Sequence, residues 1–207
     1  WSWARSGPSR YEIEVWRGIS LALARKVDAA RETLRAAAEL DPGRPEAEYQ
    51  LGLLEARAGR PEIATAHLKN AVAASERFAP AWEAWAALEM DAGQINPALE
   101  HLGRAVTLNP RRASAHFLTA IAYAKLSRET QAAAALRNAF QLDPRYLAEA
   151  KQTEVLLRLY TSAEMDALAA GPAGDSQPAR PGDGAVPGEP SESGDRKPET
   201  GDGGSGN

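Results

Sequence analysis

Ala30, Ala64, Ala98 and Ala132 lie 34 residues apart in this 207-residue chain. Leu34, Leu68, Leu102 and Leu136 keep the same spacing, as do Ala37, Ala71, Ala105 and Ala139. A fourth column is always small: Gly18, Gly52, Ala86 and Ala120. A fixed period of roughly 20–50 residues marks a solenoid, in which each unit buries its apolar face only against its neighbours.

The residue types account for the period. Within each unit the Ala, Leu, Ala set is spaced i, i+4, i+7, one stripe of an α-helix. The small column falls 12 residues earlier, on a preceding helix. Gly59 and Gly93 lie between the two helices, where a tight turn favours glycine. Small side chains at the crossing let two backbones approach, and the leucine fills the remaining space. Leu40-Asp41-Pro42, Leu108-Asn109-Pro110 and Leu142-Asp143-Pro144 close three units, because proline disfavours helical geometry in the residue before it. Each unit reads as helix, turn, helix, stop.

On these columns the chain resembles the tetratricopeptide repeat family. Four contiguous units fit, residues 11–44, 45–78, 79–112 and 113–146, together 136 of the 207 residues. Trp82 and Tyr123 match aromatic columns of the family pattern. The departures are Glu14 and Arg17 in unit one, Glu55 and Glu89 in place of the second aromatic, and Glu76 where unit two has no closing proline. The resemblance implies an all-α fold: a right-handed helix-turn-helix solenoid of four repeats, with a C-terminal capping helix and a disordered tail.

Composition adds constraints. No run of about 18 apolar residues is present, so no helix is expected to span a membrane. Without cysteine there are no disulfides and no thiolate metal sites. The Ala, Arg, Gly and Pro bias fits a GC-rich bacterial source. The net charge of −4 belongs to the segment after residue 170, which holds seven acidic and three basic residues. The preceding body balances 21 acidic against 21 basic residues, so no charge asymmetry points to nucleic acid.

Outside the repeats, residues 171–207 hold ten glycines and six prolines and only one sizeable aliphatic side chain, Val186. Such a segment cannot bury enough apolar area to offset the cost of ordering, so it is expected to be disordered. Residues 147–170 read as a cap, with Leu147, Ala150, Val155, Leu156 and Leu159 as an apolar stripe. Thr161-Ser162-Ala163-Glu164 fits a capping box for a further short helix. In the lead-in, residues 1–10, Trp1 and Trp3 precede Tyr11 and Trp16. Two readings stay open: the rings cover the first repeat, or a membrane anchor lies upstream. The compartment is correspondingly open between an envelope-associated bacterial domain and a cytoplasmic one.

No catalytic, cofactor-binding or metal-ligating constellation emerges, and the chain is not expected to be an enzyme. His67 and His101 share a column, so helix packing at about 8–10 Å keeps them from ligating one ion, and both read as exposed. The glycine-rich stretches lack the strand-to-helix context of a phosphate loop.

What remains is a binding surface. In the family it resembles, the first helices of successive units line a concave groove. Carried onto this sequence, the groove candidates are Val15 and Ile19, Tyr49 and Leu53, Glu83 and Ala87, then Phe117 and Ile121. One turn further on lie Leu23, Arg57, Met90, Asp91 and Lys125. Three of the four leading pairs are apolar, which fits an interaction site for a protein or peptide partner. The open alternative is that they pack on the next helix or under the terminal segment. Family members that bind a partner's C-terminal carboxylate use Lys and Asn in this groove; Val15, Ile19 and Gln50 stand at the matching positions and offer no charged donor. The expected function is a protein-interaction scaffold in assembly of a larger complex. A self-associating structural scaffold and an accessory domain of a larger protein are the alternatives.

Overall fold

The computed structural model describes residues 7–171. Residues 1–6 and 172–207, which include Trp1, Trp3 and almost all of the expected disordered tail, lie outside the described residues.

The described residues are all-helical. Four helix pairs follow one another: α1 (Arg10–Leu23) with α2 (Val27–Leu40), α3 (Pro45–Arg57) with α4 (Pro61–Ala74), α5 (Ala79–Asp91) with α6 (Ile95–Leu108), and α7 (Ala113–Lys125) with α8 (Glu129–Leu142). Three shorter helices follow, α9 (Arg145–Ala150), α10 (Glu154–Leu157) and α11 (Ser162–Ala170).

The helix starts have local causes. Ser9 and Glu12 form a capping box on α1, Glu12 N donating to Ser9 Oγ (3.3 Å) and Ser9 N to Glu12 Oε2 (2.9 Å). Thr161 and Glu164 do the same for α11. Pro45 and Pro61 occupy first-turn positions of α3 and α4, where a missing N–H costs nothing.

The turn inside each pair is one motif used four times. Lys26 N donates to Leu21 O, Arg60 N to Glu55 O, Gln94 N to Glu89 O and Arg128 N to Tyr123 O, at 2.7–3.0 Å. These are the long bonds of Schellman motifs, which need a left-handed residue just before the donor. Gly59 and Gly93 supply it with φ of 72° and 76°, and Arg25 and Ser127 supply it at 59° and 53°. The second helices also end alike. Asp41, Ser75, Asn109 and Asp143 leave helical geometry, and a turn bond follows in each case. Unit two therefore stops at the same place without a closing proline, its turn held by Phe78 N donating to Ser75 O (3.1 Å).

The recurrent columns are the core. Ala30, Ala64, Ala98 and Ala132, with Ala37, Ala71, Ala105 and Ala139, have no exposed surface, and the four leucines are buried between them. Each second helix packs on the next first helix, and α1, α3, α5 and α7 also touch in succession. The second helices make no comparable contact with one another. The first helices therefore line the inner side of the stack and the second helices the outer side.

At the C-terminal end, Ala150, Leu156 and Met165 are buried against Phe117, Leu136 and Phe140 of the last pair. The expected apolar stripe is not one helix. Residues 151–153 break it, and its members are divided between α9, α10 and the turn after α10. Among the described residues no helix is long and apolar enough to cross a membrane.

Candidate partner-binding face

The inner face carries three columns from the first helices, each with the 34-residue period. The column of Val15, Tyr49, Glu83 and Phe117 is deepest. Val15 is buried with Tyr11, Ala37 and Ala47. Phe117 is only 3% exposed, its ring 4.7 Å from Tyr146 of α9. Met90, in the last turn of α5, is also buried, against Ala86, Ala98, Leu102 and Ala122. These three expected groove residues are core: the first helices bury this edge against the next unit, and at the last unit the cap covers it.

Tyr49 and Glu83 are half-buried. The Tyr49 ring meets Phe78 edge-on at 5.4 Å, and burial raises its phenol pKa. Glu83 accepts hydrogen bonds from Arg112 Nε and from Ser114 Oγ (3.0 Å). Arg112 and Glu83 are also charged neighbours of Tyr49, so the middle of the face has a polar centre built by three successive units.

The second column is Ile19, Leu53, Ala87 and Ile121, and all four are half-buried. It is the one predicted column that is apolar throughout; Ile19 and Ile121 also pack against buried clusters, whereas Leu53 and Ala87 belong to none. The third column, Leu23, Arg57, Asp91 and Lys125, is exposed and forms a rim of alternating character. Lys125 Nζ reaches back to donate to Met90 O (3.4 Å). Arg57 has no carboxylate within salt-bridge distance among the described residues.

At the N-terminal end Tyr11 fixes the junction of units one and two. Its hydroxyl donates to Glu46 Oε2 (3.0 Å) and accepts from Ala47 N (3.0 Å), while the Arg44 guanidinium lies over its ring at 4.4 Å. Burial, reinforced by Glu46, pushes the Tyr11 hydroxyl up to about 12.

Charged pairs that the repeat pattern does not reveal tie first helices to second helices. Glu55 is 1% exposed, with Arg31 Nε donating to its Oε1 at 2.6 Å. Arg60 Nε lies 2.6 Å from Oε2 but off the hydrogen-bond direction, so that pairing is Coulombic. Burial pulls the Glu55 pKa up, and the two guanidiniums outweigh it and hold the carboxyl below its ordinary value. The histidines are half-buried rather than exposed: His67 Nδ1 lies 2.7 Å from Glu48 and His101 Nδ1 2.8 Å from Glu89. The His101 ring also lies against Trp85, tilted by 31° with centroids 4.1 Å apart. The signal for these pairs was the charged residue standing in an aromatic column. Among the described residues no group of three or more His, Cys, Asp or Glu is placed to hold a metal ion.

The profile of the Tetratricopeptide repeat family matches residues 4–45 and 84–146. Its two segments omit most of unit two, where Glu55 and Glu76 depart from the pattern. No curated protein matches the sequence. Among solved structures, PilF of Pseudomonas aeruginosa is similar with a TM-score of 0.67 at 20% identity, over 79% of this chain and 77% of that one. MamA is similar with a TM-score of 0.60 at 20% identity, over 74% and 88%. TTC0263, a thermophilic TPR protein of Thermus thermophilus, is similar with a TM-score of 0.60 at 25% identity, over 77% and 86%.

Proposed function

Because this chain belongs to the tetratricopeptide repeat family, we propose that it is a non-catalytic scaffold that captures an apolar segment of a protein partner along the Ile19–Leu53–Ala87–Ile121 column. The observation that carries this reading is the column itself: four half-buried apolar residues, one from each first helix, on the inner side of the stack. Partly exposed apolar residues that line up in this way are costly to leave in water and are a usual feature of interaction sites. The rim supplies selectivity. Arg57 and Lys125 favour acidic residues in the partner and Asp91, between them, favours a basic one. Tyr49 and the Glu83–Arg112–Ser114 cluster border the same column and offer hydrogen bonds to a bound backbone.

Assembly of a larger complex, including one at a cell envelope, is the cellular setting we assign to such a scaffold. Affinity capture from the source cell tests the reading with two variants, Leu53→Gln and Ala87→Glu. Both keep good helix formers on the inner face. Proteins retained by the wild type and lost by both variants, at equal helicity, support the column. The same proteins retained by all three would count against it.

A further inference from the structure

We infer that the cavity between α4 and α5 is a guanidinium site that takes an arginine side chain from a partner protein. None of its lining residues belongs to the inner partner-binding column, so this site and that face can be occupied separately.

The repeat supplies its own template for the site. Where unit one meets unit two, Arg31 donates from Nη1 to Asp28 Oδ1 and from Nε to Glu55 Oε1, each at 2.6 Å. Arg60 Nε lies 2.6 Å from the other oxygen of Glu55. One period further on, Glu62 stands in the place of Asp28 and Glu89 in that of Glu55, so both acidic positions are kept. The two arginines are not kept: Thr65 takes the place of Arg31 and Gln94 that of Arg60. A cavity of about 460 Å³ lies there, lined by Glu62, Thr65, Glu89 and Gln94 together with Trp85 and Lys69. The carboxylate pair that holds Arg31 is thus repeated without its guanidinium. At the junction of units three and four, Leu99 and Tyr123 stand at the positions of Arg31 and Glu55, so the acidic pair is not a general feature of the repeat.

The chemistry of the walls fits an arginine. The Glu89 side chain is only 11% exposed, and its Oε2 alone is engaged, 2.8 Å from His101 Nδ1. Among the described residues Glu62 pairs with no cation. A planar guanidinium carries donors enough to span two carboxylates at once, as Arg31 does. Trp85 adds an aromatic wall that already draws a cation, with Lys69 Nζ 5.3 Å from its ring centroid. Lys69 forms no ion pair with either glutamate. It stands two turns along α4 from Glu62, about 10 Å along the axis, and leaves the acidic end to an incoming group. An arginine within a chain brings a neutral backbone to these walls, whereas the free amino acid brings a carboxylate that they repel.

Titration of the isotope-labelled full chain with N-acetyl-arginine methylamide tests the site by NMR. The reporter is the indole N–H resonance of Trp85, assigned through Trp85→Phe. The wild type should show saturable shifts with a Kd in roughly the millimolar range, as suits a single side chain. Glu89→Gln should weaken binding at least about tenfold. Thr65→Arg places the guanidinium of the template inside the cavity and should abolish binding. If Glu89→Gln loses helicity, Thr65→Arg, at a half-buried position on α4, carries the test. The equally capped citrulline, which keeps the shape without the charge, should not bind. No saturable shift up to about 100 mM overturns the proposal. So does capped citrulline that binds like capped arginine, or a Thr65→Arg variant that binds like the wild type. Free arginine that binds more than about tenfold more tightly than the capped form would make this a site for the amino acid and overturn the protein partner.

Discussion

A β-carbon placed on Gly52 would lie 2.7 Å from Cγ of Leu68, well inside van der Waals contact. Gly18 stands in the same relation to Leu34, at 2.5 Å. Units three and four carry Ala86 and Ala120 in this column, both fully buried, so a β-carbon is accommodated there. Gly52→Ala should overpack the crossing by roughly 1–3 kcal/mol. The gain in helix propensity offsets about 1 kcal/mol of that. A net loss on the order of 1 kcal/mol is expected in chemical unfolding, and a stabilised variant would contradict the close crossing.

Arg25 and Ser127 hold the left-handed position that Gly59 and Gly93 hold in the other two units. Left-handed geometry costs a non-glycine residue about 1–2 kcal/mol, partly returned by its smaller entropy loss on folding. Arg25→Gly and Ser127→Gly should each stabilise by roughly 0.5–1 kcal/mol, whereas Gly59→Ala should destabilise. Melting temperatures of the three variants check this, and the opposite order would refute it.

Phe117 and Leu53 separate core from face. Phe117→Ala empties a site closed by Tyr146 and should cost about 3–5 kcal/mol. Leu53 belongs to none of the buried clusters, and Leu53→Gln should shift stability much less, by about 1 kcal/mol or below. Equal losses in denaturant titration would mean that the Leu53 column is core as well.

Glu55 gives a pH signature. Its carboxyl is held below its ordinary value near 4.5, so its contribution is present above that pH and is lost as pH falls through the lower folded value. Glu55→Gln leaves Arg31 and Arg60 around a neutral amide and should cost roughly 1–3 kcal/mol at neutral pH. The gap between wild type and variant should stay constant above about pH 5 and narrow below about pH 4. A gap that widens on acidification would reverse the sign and exclude the ion pair as its cause.

The solenoid was legible because its core columns admit little variation: an alanine with no exposed surface between two backbones cannot grow, and a leucine filling the gap cannot shrink. The partner face was harder to read. Phe117 belongs to the core because Tyr146, 29 residues later at the start of α9, lies against it, and the repeat pattern gives no sign of that contact. Val15 and Met90 are buried by neighbouring units for the same kind of reason. The column of Ile19, Leu53, Ala87 and Ile121 has the full period, yet its members vary in size because none of them is fully buried at a fixed crossing. Glu55 looked like a departure from an aromatic column, and its partner Arg31 comes from the preceding unit.

If the Leu53–Ala87 column receives the partner, a reactive side chain placed in it must lie within reach of that partner. Photo-crosslinking inside the source cell tests it most directly, with the reactive side chain at position 53 and, as control, at Gly103 on α6, where an added β-carbon meets nothing within 4 Å. An adduct with one protein from position 53, and none with that protein from position 103, is the expected result. The same adduct from both positions, or a specific adduct from position 103 alone, would contradict it.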